Sequence, residues 1–220
     1  MSKIEDLIKQ HCPNGVEYKT LDNILHSIRT GLNPRQNFKL NESGSNCYYL
    51  TVKEMTTGHI VFTSKTDMIT ENAVSIIQNR SKLELGDVLL SGIGTIGKVA
   101  VVDIPVNNWN CSESVLLLKP QKDKIMSKYL AYVLQSEKIQ NVFLKTSVGS
   151  TLKGIRKETL SNLQIPVPPL PVQEEIVRIL DAFTELEKEL EKELEKRKQQ
   201  YEYYRNKLLT FDENTTGGGY

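Results

Sequence analysis

The sequence predicts an α+β fold, a mixed α/β head followed by a long C-terminal coiled-coil helix. Three observations lead there. From residue 172 to about 209 there is no Gly and no Pro, and apolar residues recur at spacings of three and four. A proline-rich segment, IPVPPLP at 165–171, stands directly before that stretch and excludes helix up to its own end. Upstream, short strand-like runs follow one another without regular intervening helices, which argues against a doubly wound sheet. The expected division is a domain over 1–171, a helix over 172–211 that serves as dimerisation element and spacer, and a disordered tail over 212–220.

In chain order, Leu7 and Ile8 belong to a short N-terminal helix, and CPNGV at 12–16 is a turn. The segments 47–53, 60–63, 74–77, 87–91, 98–102 and 114–118 read as strands. Ser127 caps a helix running to about Leu144, with Leu130, Val133, Leu134 and Val142 on its inner face. A second short helix covers 156–162. Pro171 fits the first turn of the long helix, with Glu174 and Glu175 at its positive end.

The long helix has a seam formed by Ile176, Ile179, Phe183, Leu186, Leu190, Leu194, Tyr201, Tyr204 and Leu208, with Arg197 on the same line. Its 38 residues make a rod of roughly 57 Å. A single small domain cannot cover a seam of that length, so the rod requires a partner helix. Residues 185–188, 189–192 and 193–196 all read ELEK. A period of four drifts around the helix relative to a 3.5 seam, so the repeat acts as an inserted stutter. It is either a solubilised spacer or a ruler whose length changes in steps of about 6 Å.

Charge and composition narrow the function classes. The net charge of +1 conceals a division: residues 1–171 carry 20 Lys+Arg against 15 Asp+Glu, and residues 172–220 carry 8 against 12. The head is thus +5 and the rod −4. An excess of +5 permits nucleic-acid binding, and a solvated surface accounts for it equally well. No run of about 18 apolar residues exists for a membrane span, and the N-terminus has no secretory h-region. Cys12, Cys47 and Cys111 form no CxxC pair and no metal-ligand spacing with His11, His26 and His59, so reduced thiols in a cytoplasmic protein are expected, with no metal and no cofactor.

The segment GIGTIGKV at 92–99 matches GxGxxG, GxxxxGK and GxGxxGxV at once. The first two need a following helix to hold phosphate on its N-terminus, and the second needs Ser or Thr where Val99 stands. The chain instead continues as KVAVVDIP, a strand ending at Pro105. The third belongs to kinases, and HRD, DFG and VAIK are all missing. The segment therefore reads as a Gly-rich hairpin from which Lys98 can reach a phosphate, with Thr95 as a further DNA-binding candidate. No GxSxG, HExxH, NPPY or DPPY is present, and Asp87 and Glu113 read as turn or surface residues.

Side chains of the DNA-reading kind gather in three loops: Arg29, Thr30, Asn33, Arg35 and Gln36; Asn79, Arg80 and Lys82; and Ser147, Ser150, Thr151 and Lys153. Arg and Lys can read guanine, Asn and Gln adenine, and hydroxyls and ammoniums hold phosphates. Taken alone, each loop reads more readily as a plain hydrophilic surface, and their joint occurrence favours DNA reading only modestly.

Three longer stretches carry a resemblance. They are CPNGVEYKTLDNI at 12–24, LELGDVLLSGIGTIGKVAVV at 83–102, and GSTLKGIRKETLSNLQIPVPPLPVQEEIVRILDAF at 149–183 with QQYEYYRNKLLTF at 199–211. Together they resemble the specificity subunit of Type I restriction-modification enzymes, specifically one target recognition domain with one conserved helix. The resemblance implies a non-catalytic DNA-binding subunit that recruits modification subunits, which methylate adenine, and restriction subunits, which use ATP and cleave. A full specificity subunit carries two such domains and two antiparallel helices. One domain and one helix imply a natural half subunit or a piece of a longer one. In either case an antiparallel pair of copies restores the two-domain arrangement and reads a split site in double-stranded DNA. The alternative is a coiled-coil assembly adaptor whose head binds protein.

Overall fold

The computed structural model describes residues 3–35, 37–56, 58–146 and 154–210. The chain divides after Val177 into two compact units. The first contains α1 (Lys3–His11), β1 (Tyr18–Thr20), α2 (Leu21–Ile24), β2 (Leu25–Thr30), β3 (Cys47–Leu50), β4 (Met68–Ile69), α3 (Glu71–Arg80), β5 (Val88–Ser91), β6 (Val99–Val101), β7 (Trp109–Cys111), β8 (Val115–Pro120), α4 (Ser127–Gln135), α5 (Glu137–Thr146), α6 (Lys157–Ser161) and β9 (Gln164–Pro166). The fold is mixed α/β with a long C-terminal helix, α7 (Leu170–Leu209), whose first two turns belong to this unit.

A four-stranded antiparallel sheet of order β2-β8-β5-β6 is the centre. Strands β5, β6 and β8 read as continuous apolar runs because both of their faces are covered; the edge strand β2 enters only the first core and keeps His26 and Arg29 exposed. Leu116 and Leu118 of β8, Val88 and Leu90 of β5 and Val99 of β6 enter one core with α2, α4 and α5. The alternate residues Val115 and Leu117, Leu89 and Ala100 enter a second core with Trp109, Met55 and Leu50. Successive side chains of a strand point to opposite faces, so one run of leucines serves two cores. The second core rests against a three-stranded sheet of order β4-β3-β7, in which β3 and β7 run parallel. A third, smaller core joins Cys47, Tyr49 and Ile69 to Ala73 and Ile77 of α3.

Several expectations are revised. Residues 74–77 are not a strand but the middle of α3. Thr70 caps that helix by accepting from the Ala73 amide, and the buried pair Ala73 and Ile77 has the helical spacing of four. Residues 60–63 form no strand, and Ile60 makes only an isolated bridge to Met55. The helix expected from Ser127 to Leu144 is two, because Ser136 adopts an extended conformation between α4 and α5. Ser127 does not cap α4; its hydroxyl donates to the Gly86 carbonyl. Strand β2 occupies what reads in sequence as the start of a polar loop, Arg29 and Thr30 included.

The proline-rich approach ends in a buried clamp. Gln173 is fully buried, and its Nε2 donates to the carbonyls of Lys124 at 2.9 Å and Pro168 at 2.7 Å. Its Oε1 accepts from the Met126 amide at 2.9 Å. Two turns of α7 are thereby joined to the β8–α4 connection, and Val172 and Val177 close the core beside them. Buried Glu175 takes the ammonium of Lys3 at 2.8 Å, which fastens α1 to the same turns.

In the second unit α7 is a simple helix with a solvated surface. Arg197 pairs with Glu193 one turn earlier at 2.9 Å, and Lys188 approaches Glu185 at 4.0 Å. Exposed pairs of this kind contribute roughly 0.3–0.5 kcal/mol each. No helix among the described residues is long and apolar enough to cross a membrane.

Replacing Gln173 by Leu keeps the volume but leaves two carbonyls and one amide without partners. It is expected to lower unfolding free energy by about 2–4 kcal/mol, read from urea or thermal denaturation. An unchanged midpoint shows that the clamp contributes nothing.

Candidate nucleic-acid interface

The strand directions of the central sheet place four chain segments at one end. Thr30 pairs with Leu116, Ser91 with Val115, and Leu90 with Val99. The end of β2, the β5–β6 loop, the β7–β8 connection and the segment from Gly154 onward therefore meet there. Each is held by backbone bonds. Gly92 N–H donates to Ser114 O at 2.8 Å, and Ile155 N–H to Gly92 O at 2.9 Å. Leu32 N–H donates to Cys111 O at 3.3 Å. Glycine is required at position 31, where a Cβ would lie 1.8 Å from the Cys111 carbonyl oxygen.

The Gly-rich loop is a β5–β6 hairpin, and β6 follows it where a phosphate-binding loop would need a helix. Ser91 closes it, with its hydroxyl oxygen accepting from Lys98 N–H at 2.8 Å and its carbonyl from Gly97 N–H at 3.1 Å. Gly97 has φ +92°, a left-handed conformation that other residues rarely adopt, and a Cβ there would displace Oε1 of Gln140 on α5, which would lie 2.2 Å away. That amide donates to Gly97 O at 2.9 Å and Leu134 O at 2.7 Å. The glycine thus serves backbone geometry and close packing rather than a nucleotide.

The expected DNA-reading residues fall into distinct situations. Arg29 and Thr30 lie on β2 and Arg80 at the end of α3, and the three line one cleft with Ile28, Leu116 and Lys157. Arg80 Nη2 approaches Thr30 Oγ1 at 3.4 Å. Asn33 donates its amide to the Glu113 carboxylate, and its carbonyl accepts from Asn37 Nδ2 at 3.0 Å. Arg35, Asn79 and Thr95 are exposed. Lys82 pairs with Glu84 at 3.0 Å. The Lys98 ammonium donates to Val52 O at 3.1 Å and Met55 O at 3.0 Å, holding the segment after β3. Gln36, Ser147, Ser150, Thr151 and Lys153 lie outside the described residues.

Sequence reasoning missed Lys157 and the partnership of Glu113 with Asn33. A signal existed for the first, because Arg156 and Lys157 are the only two adjacent basic residues in 1–171. Along the expected seam, Ile176 is partly buried against the first core. Phe183, Leu186, Leu190, Leu194, Tyr201, Tyr204 and Leu208 are each at least half exposed.

The carboxylates near the opposite end of the sheet have structural tasks. Hydrogen bonds from Lys119 and Lys82 hold the exposed Glu84 carboxyl down to about 2. Burial raises Asp87, whose carboxylate accepts from Glu84 N–H at 2.7 Å and faces Lys119 at 3.4 Å. Burial also pushes the Cys111 thiol up to about 12, so the thiolate is inaccessible at neutral pH. Among the described residues no group of three His, Cys, Asp or Glu is placed to hold a metal.

Residues 13–196 match the family model of the Type I restriction modification DNA specificity domain. The chain belongs to that family. It is 33% identical over 184 residues to the type I restriction enzyme MjaX specificity subunit of Methanocaldococcus jannaschii, covering 79% of this chain and 40% of that one. It is 29% identical over 212 residues to the EcoR124I/EcoR124II specificity subunit of Escherichia coli, covering 91% of this chain and 50% of that one. This specificity-domain chain therefore spans half or less of the length of those relatives. The S subunit of the Type-I restriction-modification system from M. genitalium shares its fold, with a TM-score of 0.56 and 20% identity over 91% of this chain and 48% of that one.

Because its ammonium holds two carbonyls, Lys98→Met is expected to cost about 1–2 kcal/mol of stability. Lys53→Met, on the exposed neighbouring turn, is expected to be neutral. Equal melting temperatures for the two variants contradict the assignment.

Proposed function

We propose that the chain is a non-catalytic, sequence-reading DNA subunit that recognises one half of a split site in double-stranded DNA. In this reading residues 1–171 are the recognition domain. The helix over 172–211 is the spacer and dimerisation element. The observation that carries the proposal is the convergence of Arg29, Thr30, Asn33, Arg80 and Thr95 around one end of the central sheet, with Arg35 exposed shortly after β2, in a chain of the specificity-domain family. Base edges in the major groove offer acceptors to Arg and paired groups to Asn, and backbone phosphates accept from Arg and Thr, so such side chains on firmly held loops suit contact with DNA. Catalysis then belongs to partners, namely modification subunits that methylate and restriction subunits that cleave, and the setting is the cytoplasm.

The exposed seam favours an antiparallel second copy as the partner of α7. Seven apolar or aromatic side chains at least half exposed, from Phe183 to Leu208, stand on each helix. Burial of a large apolar side chain contributes roughly 1.5–3 kcal/mol. Burying what remains exposed on two such seams is of the size needed to offset the roughly 4–15 kcal/mol cost of association. The interface between copies is isologous, so the two heads read the two halves of a palindrome.

Two measurements test the reading. Light scattering at micromolar concentration is expected to give a dimer, and a monomer removes the antiparallel pairing. Deleting one ELEK block shortens the helix by about 6 Å and is expected to select target sites with a shorter gap. An unchanged gap refutes the ruler.

A further inference from the structure

The cleft beside the end of β2 has a volume of about 350 Å³ and is lined by Ile28, Arg29, Thr30, Arg80, Leu116 and Lys157. We propose that it seats a phosphodiester group of the DNA backbone, gripped by Arg29, Arg80 and Lys157. The proposal rests on the DNA-reading function above and deepens it. It assigns these cations to positioning rather than to base reading, and it adds Lys157, from α6, to the interface.

The cations come from three separate elements, β2, α3 and α6, and all three residues are exposed at the cleft. None of them is in an ion pair among the described residues. Three basic residues elsewhere in the head behave differently. Lys82 and Lys119 are taken by Glu84, and Lys98 by two carbonyls. Three like charges around one concavity repel one another, and a bound anion relieves that repulsion. The cleft's apolar lining, Ile28 and Leu116, is only 4% and 5% exposed, which lowers the local dielectric and strengthens an anion's attraction.

The geometry favours phosphate over a base edge. Reading guanine uses the free two-pronged face of a guanidinium. Arg80 has one terminal nitrogen directed at Thr30 Oγ1 at 3.4 Å. That contact occupies one prong of the guanidinium and leaves the Thr30 hydroxyl proton free to donate to a phosphate oxygen. A base edge is also neutral and offsets none of the surrounding charge. Phosphate contacts fix register without carrying sequence information. The cleft thus sets how the neighbouring Asn33 and Arg35 meet the groove.

The test compares the wild-type full chain with Arg80→Ala, Lys157→Ala and Lys157→Arg on two unrelated duplexes of about 30 base pairs by fluorescence anisotropy, between about 50 and 200 mM salt. Each alanine variant is expected to reduce the slope of log affinity against log salt by about 0.9. The affinity gained on lowering salt then falls by about 3.5-fold, equally on both duplexes. Lys157→Arg keeps the charge and is expected to keep the wild-type slope. Lys157 is exposed, so its variants remain informative even if Arg80→Ala melts early. Wild-type slopes in both alanine variants overturn the phosphate seat while leaving DNA reading intact. A loss confined to one duplex overturns it in favour of a base contact. Absence of salt-dependent duplex binding by the wild-type chain overturns both proposals.

Discussion

The double burial of the four-stranded sheet is the constraint on which the rest of the head depends. A sheet with one wet face can present side chains from its surface. Here β5, β6 and β8 cannot, because Leu116 and Leu118 fill one core while Val115 and Leu117 fill another, and only the edge strand β2 keeps side chains such as Arg29 exposed. Only the strand ends and the loops that leave them remain for recognition. The antiparallel order then decides which loops share an end, and it gathers the end of β2, the β5–β6 hairpin and the β7–β8 connection. Loop positions derive from hydrophobic burial and are stiffened by small residues, such as Gly31 against the Cys111 carbonyl.

A second constraint acts where the helix leaves the head. Prolines 166, 168, 169 and 171 hold the backbone extended and then admit helix, but they donate no amide bonds to fix its direction. Gln173 supplies that attachment from inside the helix, with three hydrogen bonds to backbone groups of two other segments. An amide suits the task because it donates and accepts at once without a charge to desolvate. Ile176 is consumed in the same packing, so the exposed part of the seam starts further along, at Phe183.

The rod was the most legible part of the sequence, because a helical period over nearly 40 residues leaves no competing reading. The expected start at 172 differs by two residues from the observed Leu170. Strands β5, β6 and β8 were also legible as apolar runs bounded by turn residues. Strand β2 was not, since LHSIRT carries only two apolar residues, three apart, and pairs through backbone groups that composition does not reveal. Residues 74–77 misled because three apolar residues in four favour a strand when Thr70 and Ala73 are left out of the window. In the candidate interface, residue type was legible and partnership was not. Lys98 and Arg80 look equivalent as letters, yet one is spent on backbone carbonyls and the other opens into a cleft.

That distinction bears on how a head with an excess of only five positive charges can suit a polyanion. Net charge sets the long-range field, which is screened within about 8–10 Å at physiological salt. Contact energy depends instead on cations that are unpaired, close together and backed by apolar surface. Internal pairing removes Lys82 and Lys119 from that pool, and backbone carbonyls remove Lys98. What remains at the sheet end is local and directional: Arg29, Arg80 and Lys157 around one cleft, with Arg35 exposed nearby in the chain. Under the proposed function, a weakly charged head of this kind is expected to bind nonspecific DNA less tightly than a uniformly basic one. A reader of rare sites gains from that, because the genome offers vastly more wrong sites than right ones.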